Sequence, residues 1–303
     1  MDSARTASRT AVLVCQGRAA ANGRLAVGRF ADETAMSLLQ DGERLVVDGV
    51  RSGSPPSDWR ERLDYELVQA TAEGMAPRTV AIDDAIEEAI EEAIEAASAA
   101  QVVVLGAGLD GRAWRMTSLA EVDVYEVDHP ASQDAKRDRV AAAGLTLASK
   151  SVTYAPVDFS RDRLDDRLAA AGHQRGEPTI WVWEGVVPYL SGGEVAATVS
   201  ALAGASAAGS RLIVQYQAPS LVASTGRLAI RGMNRLARRE DMWTNEPSRS
   251  TWKPASIAGL LARNGYQVVR DDNLLTIADE LGVTATHRRS LSAGRVLVSD
   301  LDA

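Results

Sequence analysis

From residue 101 onward the sequence alternates short apolar runs with helical stretches. This constrains the fold more than any other feature. The runs are QVVVLG (101–106), VDVYEV (122–127), SVTYAPV (151–157), TIWVWE (179–184) and RLIVQY (211–216). Helical segments such as PASQDAKRDRVAAAG and EVAATVSALAGASAAG lie between them. Strands that alternate with helices predict an α/β fold with a parallel, doubly wound sheet, because each crossover must carry the chain back to the same edge. PASIAGLLARNGYQVVRDD adds one helix and one strand, and AGRVLVSD a last strand.

The first 75 or so residues read differently. They are helical in pattern, with RLVVDGV the one stretch that reads as a short strand, and Gly53-Ser54-Pro55-Pro56 is a break. Helical patterning resumes at Ser57, and Pro77 precedes a further helix. We therefore expect an N-terminal helical cap over residues 1–76 and a sheet domain over 77–303. In IDDAIEEAIEEAIEAA, Ile86, Ile90 and Ile94 are four apart, which makes one apolar stripe. The seven acids around it predict a solvated face.

In an open α/β sheet, ligands bind at the carboxyl ends of the strands. The first strand ends in Gly106-Ala107-Gly108-Leu109-Asp110-Gly111, a G-x-G-x-x-G turn. The second ends at Asp128, with Glu126 just before it; the third at Asp158-Phe159; the fourth at Glu184. Asp128 follows Gly108 by 20 residues, a spacing suited to ribose hydroxyls. A pyrophosphate prefers bare N–H groups at a helix start, and Asp110 inside the turn would repel it. S-adenosylmethionine carries a ribose, a sulfonium, an ammonium and one carboxylate, and no phosphate. An acidic rim with one arginine suits it better than it suits NAD.

The stretches QVVVLGAGLDGRAWRM, VYEVDHP, WEGVVPYLS, PRTVAIDDAI and VDF together resemble the leucine carboxyl methyltransferase family, in particular its bacterial branch of S-adenosylmethionine-dependent methyltransferases. The resemblance spans roughly residues 5 to 215. It implies a class I methyltransferase-type sheet, mostly parallel with the last strand antiparallel, under N-terminal helices; a helical lid insertion is expected from the residues of 217–253 themselves, where the resemblance is weakest. It implies that Arg78 takes the methionyl carboxylate and that Gly106 and Gly108 lie under the cofactor. Asp128 would bind the ribose, Asp158 and Phe159 flank the adenine, Glu184 face the methionine end, and Tyr189 stand near the mouth of the site. Two positions depart from the family pattern: Gly111 replaces the usual Thr or Ser, and Val80 a common second Arg.

The acceptor is less constrained. A carboxylate is already ionised at neutral pH and needs no general base, whereas a hydroxyl or amine usually does. The motifs contain no evident His-centred base; His129 reads as a helix cap, and Trp181 and Trp183 as packing residues. A carboxylate on a small molecule or peptide is the acceptor we expect. A hydroxyl of a secondary metabolite is the alternative. An NAD-dependent oxidoreductase, or a cofactor binder without catalysis, remains open from the residues alone. The segment 217–253 reads as an insertion, and Arg227, Arg231 and Arg235, four apart, share one helix face, which is either a solvated basic face or an acceptor lid. Arg231 and Arg235 would attract an anionic acceptor.

Composition narrows the partners. A net charge of −8 disfavours a nucleic-acid partner. The single cysteine, Cys15, excludes an intrachain disulfide and a Cys-based metal cluster. No metal is expected, no apolar run approaches the ~20 residues that span a bilayer, and a cytoplasmic location is expected.

Overall fold

The computed structural model describes residues 7–96, 100–158, 161–220 and 249–302. Phe159, Arg231, Arg235 and most of the expected lid lie outside the described residues. The strands are β1 (Gln101–Leu105), β2 (Asp123–Asp128), β3 (Ser151–Pro156), β4 (Thr179–Trp183), β5 (Arg211–Gln217), β6 (Tyr266–Asn273) and β7 (Gly294–Leu301). They form one sheet in the order β3-β2-β1-β4-β5-β7-β6. β1 to β5 pair in parallel, and β7 runs antiparallel to both of its neighbours. The expected sheet is therefore observed. Strand order reverses between β1 and β4, where Leu105 lies opposite Trp183, and in open α/β sheets ligands bind beside the carboxyl ends at such a switch point.

Alternating side chains of the sheet feed two apolar layers. Val102, Val104, Ile180 and Val182 face one layer, which includes residues of α1 (Arg9–Ala21), α2 (Glu33–Leu38), α3 (Asp41–Ser52) and α4 (Trp59–Glu95). Val103, Leu105, Trp181 and Trp183 face the other, with residues of α7 (Leu164–Ala170), α8 (Gly192–Gly204) and α9 (Pro254–Ala262). Trp181 and Trp183 are buried, as expected of packing residues. The chain also forms α5 (Arg112–Arg115), α6 (Pro130–Ala143), α10 (Leu274–Glu280) and α11 (Arg288–Leu291).

Three local expectations are corrected. RLVVDGV is not a strand but part of α3, opened by a Gln40/Glu43 capping box and closed by Gly53 at φ 65°. Its buried residues, Val47 and Val50, are three apart, a helical spacing that outweighs their β-branched character. Pro77 does not precede a new helix. α4 runs unbroken across it from Asp58, whose side chain caps the first turn, so residues 76 and 77 lie within one helix. Pro77 only removes the ladder bond to the Glu73 carbonyl. The acidic face of α4 is not simply solvated. Asp84 pairs with Arg29 at 2.7 Å, Glu88 with Arg270 at 2.8 Å and Glu92 with Arg211 at 3.0 Å. Ile86 and Ile90 are buried as the stripe predicts, whereas Ile94 is exposed.

Candidate active site

The turn after β1 needs its glycines. Gly106 and Gly108 have φ of 67° and 49°, in the left-handed region that glycine tolerates. A Cβ on Gly106 would stand 2.3 Å from Val186 Cγ2, and one on Gly108 3.1 Å from Ala11 Cβ. The loop after β4 and helix α1 thus close directly on the turn. The Gly106 and Ala107 N–H groups donate to the Val127 carbonyl at 2.8 and 3.1 Å. Asp128 reaches across from β2: Oδ2 accepts from Gly108 N at 2.6 Å, and Oδ1 from His129 N at 2.6 Å.

Behind the turn lies a network of four arginines and four acids. Glu184, just past β4, meets Arg78 Nε with Oε1 at 2.7 Å and Arg112 Nη1 with Oε2 at 2.9 Å. Arg112 also bonds Asp83 of α4 at 2.7 Å and Asp110 of the turn. Arg115 bonds the second oxygen of Asp83 at 2.7 Å. Arg18 of α1 bonds Asp32 at 2.7 Å and donates to the Leu109 carbonyl at 2.5 Å. Burial alone would raise the Glu184 carboxyl, but Arg78 and Arg112 outweigh it and hold the group at about 2. Asp110 is likewise held well below the usual carboxylate range, with Arg112 outweighing burial. Burial pulls the Arg78 guanidinium below its ordinary value.

The sequence reading is corrected at two points here. Asp110 is buried against Arg112 rather than presented to the mouth of the turn, so its charge is compensated and the repulsion expected of it loses force. Asp83, expected on a solvated face, holds two arginines of α5. Arg112, Arg115, Arg18 and Asp32 were not expected in the site at all. A signal existed for two of them, since GRAWRM places Arg112 and Arg115 directly after the glycine turn.

The structure brings Arg78 against Glu184 and Asp128 against Gly108 of the glycine turn, and Arg112 ties the two by bonding both Glu184 and Asp110 of that turn. Asp158 follows β3 beside Asp128, whose carbonyl accepts the Val157 N–H at 2.9 Å. Tyr189 ends a short turn, Val187–Tyr189, beyond Glu184 and is partly exposed. His129 is the N-cap of α6, its Nδ1 accepting from Ala131 N at 3.3 Å. The two departures from the family pattern have structural reasons. A Cβ on Gly111 would stand 1.9 Å from Thr34 Oγ1, so α2 fills that space with a hydroxyl, which donates to Asp32 at 2.6 Å. Val80 is buried in the apolar layer. A groove of about 950 Å³ between α1, α3, α4 and α6 includes none of the expected site residues.

Among the described residues no group of His, Cys, Asp and Glu is placed to hold a metal, and no helix is long and apolar enough to cross a membrane. The leucine carboxyl methyltransferase family model matches residues 11–203. A Mycolicibacterium vanbaalenii protein provisionally assigned as an S-adenosyl-L-methionine-dependent methyltransferase is 32% identical over 232 residues, covering 73% of this chain and 70% of the relative. A Mycobacterium bovis protein with the same assignment is 30% identical over 278 residues, covering 87% and 80%. A solved structure from Thermobifida fusca, provisionally assigned as a methyltransferase, is 15% identical with a TM-score of 0.50, covering 100% of this chain and 97% of that one, and bears on the fold alone. The family match spans well over half the chain and takes in the glycine turn, Arg78, Asp128 and Glu184, so this chain belongs to the leucine carboxyl methyltransferase family and is an S-adenosylmethionine-dependent methyltransferase.

Proposed function

We propose that the enzyme methylates a carboxylate on a small molecule or peptide. The observation that carries this reading is the state of Glu184. With two guanidinium groups on it and its carboxyl held at about 2, Glu184 is too weak a base to take a proton from a hydroxyl. The chain's three histidines also have posts elsewhere. His129 caps α6, and His287 Nδ1 stands 3.3 Å from Glu73. His173 lies against Thr179, with burial pushing it down to about 4. An acceptor that is already anionic needs none of them.

The residues fit the methionyl end of the cofactor. Arg78 Nε and Glu184 Oε1 are in ion contact, but the angle is not that of a hydrogen bond, and each atom is buried without a hydrogen-bond partner. A zwitterionic amino-acid group offers what both lack, a carboxylate for Arg78 and an ammonium for Glu184. In this reading Asp128 holds the ribose hydroxyls, Gly106 and Gly108 let the backbone approach closely, and Asp158 and Phe159 flank the adenine. Tyr189 helps position the acceptor. When bound, S-adenosylmethionine supplies an activated methyl group for in-line displacement. The protein's contribution is alignment, which can remove much of the barrier. The N-terminal helices act as a cap and the segment 217–253 as a lid, with Arg231 and Arg235 drawing in the anionic acceptor.

Methyl-labelled S-adenosylmethionine, incubated with the enzyme and a metabolite extract, tests the reading. Mild base should release the label as volatile methanol, the signature of a methyl ester. Label that stays on the product would mean an ether or amine and would overturn the carboxylate reading in favour of a hydroxyl or amine acceptor.

A further inference from the structure

Glu184 holds two arginines, and they are not equivalent. Arg78 meets it without hydrogen-bond geometry. Arg112 makes a hydrogen bond to Oε2 at 2.9 Å, and its Nε bonds Asp83 at 2.7 Å. Its Nη1 also bonds Asp110, whose other oxygen accepts the Arg112 backbone N–H at 2.7 Å. The side chain is 3% exposed. One guanidinium thus joins three parts of the fold: the glycine turn through Asp110, α4 through Asp83, and the end of β4 through Glu184. Arg78 comes from α4 and Arg18 from α1, and both also act on Glu184.

We propose that Arg112 is a positioning residue for the cofactor site, fixing the orientation and charge of Glu184 when Arg78 turns to a ligand carboxylate. This rests on the reading of Arg78 and Glu184 as the groups that hold the methionyl end. If Arg78 is drawn away, Glu184 keeps Arg112 and Arg18 against the like charge of Asp110. Without Arg112, Glu184 would face that moment beside Asp110 with only the more distant Arg18. Its carboxyl would rise, and it would lose its charge as pH falls, together with its hold on an ammonium.

The test measures S-adenosylhomocysteine binding by calorimetry from about pH 8 to about pH 6. The wild type should change little over that range for want of a titrating Glu184. Arg112→Met should bind about tenfold or more weakly at the upper pH, as expected for losing a charge-assisted bond, and weaken further as pH falls. Arg112→Lys should recover much of the affinity. In a Glu184→Gln background, Arg112→Met should cost much less than it does alone and should lose its pH dependence, because that part of its effect runs through the carboxylate. The proposal is overturned if Arg112→Met, folded by circular dichroism, binds within about threefold of wild type with an unchanged pH profile. It is also overturned if its effect multiplies fully with that of Glu184→Gln, which marks a structural role alone. Should Arg112→Met not fold, the uncharged but polar Arg112→Gln takes its place in the cycle. Normal binding by both Arg78→Met and Glu184→Gln would instead sink the underlying reading of the site.

Discussion

Two glutamates near the ends of the strands that flank β1, Glu126 buried and Glu184 nearly so, each have a basic partner at hydrogen-bond distance, and they behave in opposite ways. Glu184 has Arg78 and Arg112 at 2.7 and 2.9 Å, and its carboxyl is held at about 2. Glu126, on β2, has Lys136 of α6 at 2.6 Å, and burial raises its carboxyl to about 7. Its Oε2 is buried without a hydrogen-bond partner, and Asp110 and Asp128 add like charge. The contrast shows that one ion pair does not secure a charge under a sheet. At Glu184 two guanidiniums outweigh burial, whereas at Glu126 a single ammonium does not.

The largest effect should come from Glu184→Gln. Removing the shared anion leaves two buried guanidiniums under-compensated. Methyl transfer should fall on the order of 100-fold and stability by about 3 kcal/mol, read from label transfer and denaturant unfolding. Near-normal activity would place the essential charge elsewhere. Gly106→Ala, in the turn between the two glutamates, should cost about 2 kcal/mol, because both the left-handed backbone and Val186 oppose a Cβ there. A loss below about 0.5 kcal/mol would show that the loop after β4 yields easily.

Glu126→Gln sharpens the other half of the comparison. The folded-state carboxyl lies near 7 and the ordinary value is 4.5, so the folded protein binds a proton that the unfolded chain releases in that window. Glu126 therefore lowers stability as pH rises from about 4.5 to 7, and the penalty persists above that. Glu126→Gln should flatten this part of the stability profile in thermal melts at stepped pH. An equally steep decline in the variant would assign it to another group. The smallest effect belongs to His129→Ala, which removes a cap of modest strength. Methyl transfer should stay within about twofold and stability within about 1 kcal/mol. A large loss of kcat with KM unchanged would make His129 a participant in the chemistry.

The strands were legible because short, largely apolar runs alternate with helical stretches. The glycine turn, Asp128 and Glu184 were legible because a strand's last residue defines the ligand edge of such a sheet. The network behind them was not. Asp83 reads as one more acid on a charged helix until α5 brings Arg112, 29 residues on in sequence, and Arg115 against it. Asp110 reads as an exposed turn residue until the same arginine buries its charge. Local pattern cannot reveal pairings that only tertiary packing makes. RLVVDGV failed for the related reason that β-branched residues are weak evidence once a capping box and a core contact favour a helix.

α4 is 37 residues long, roughly 55 Å at the helical rise. It passes Glu73, which accepts the N–H groups of Thr286 and His287, then Arg78 and Asp83, then the acids that grip Arg270 and Arg211. Mechanically it is one shaft fixed at three stations, with no break between the N-terminal helices and the strand ends. Cutting the gene at 76/77 would saw through that shaft. Neither fragment would keep the alignment of Arg78, so the enzyme should complement poorly as split halves, whereas a split in an exposed loop leaves the shaft whole.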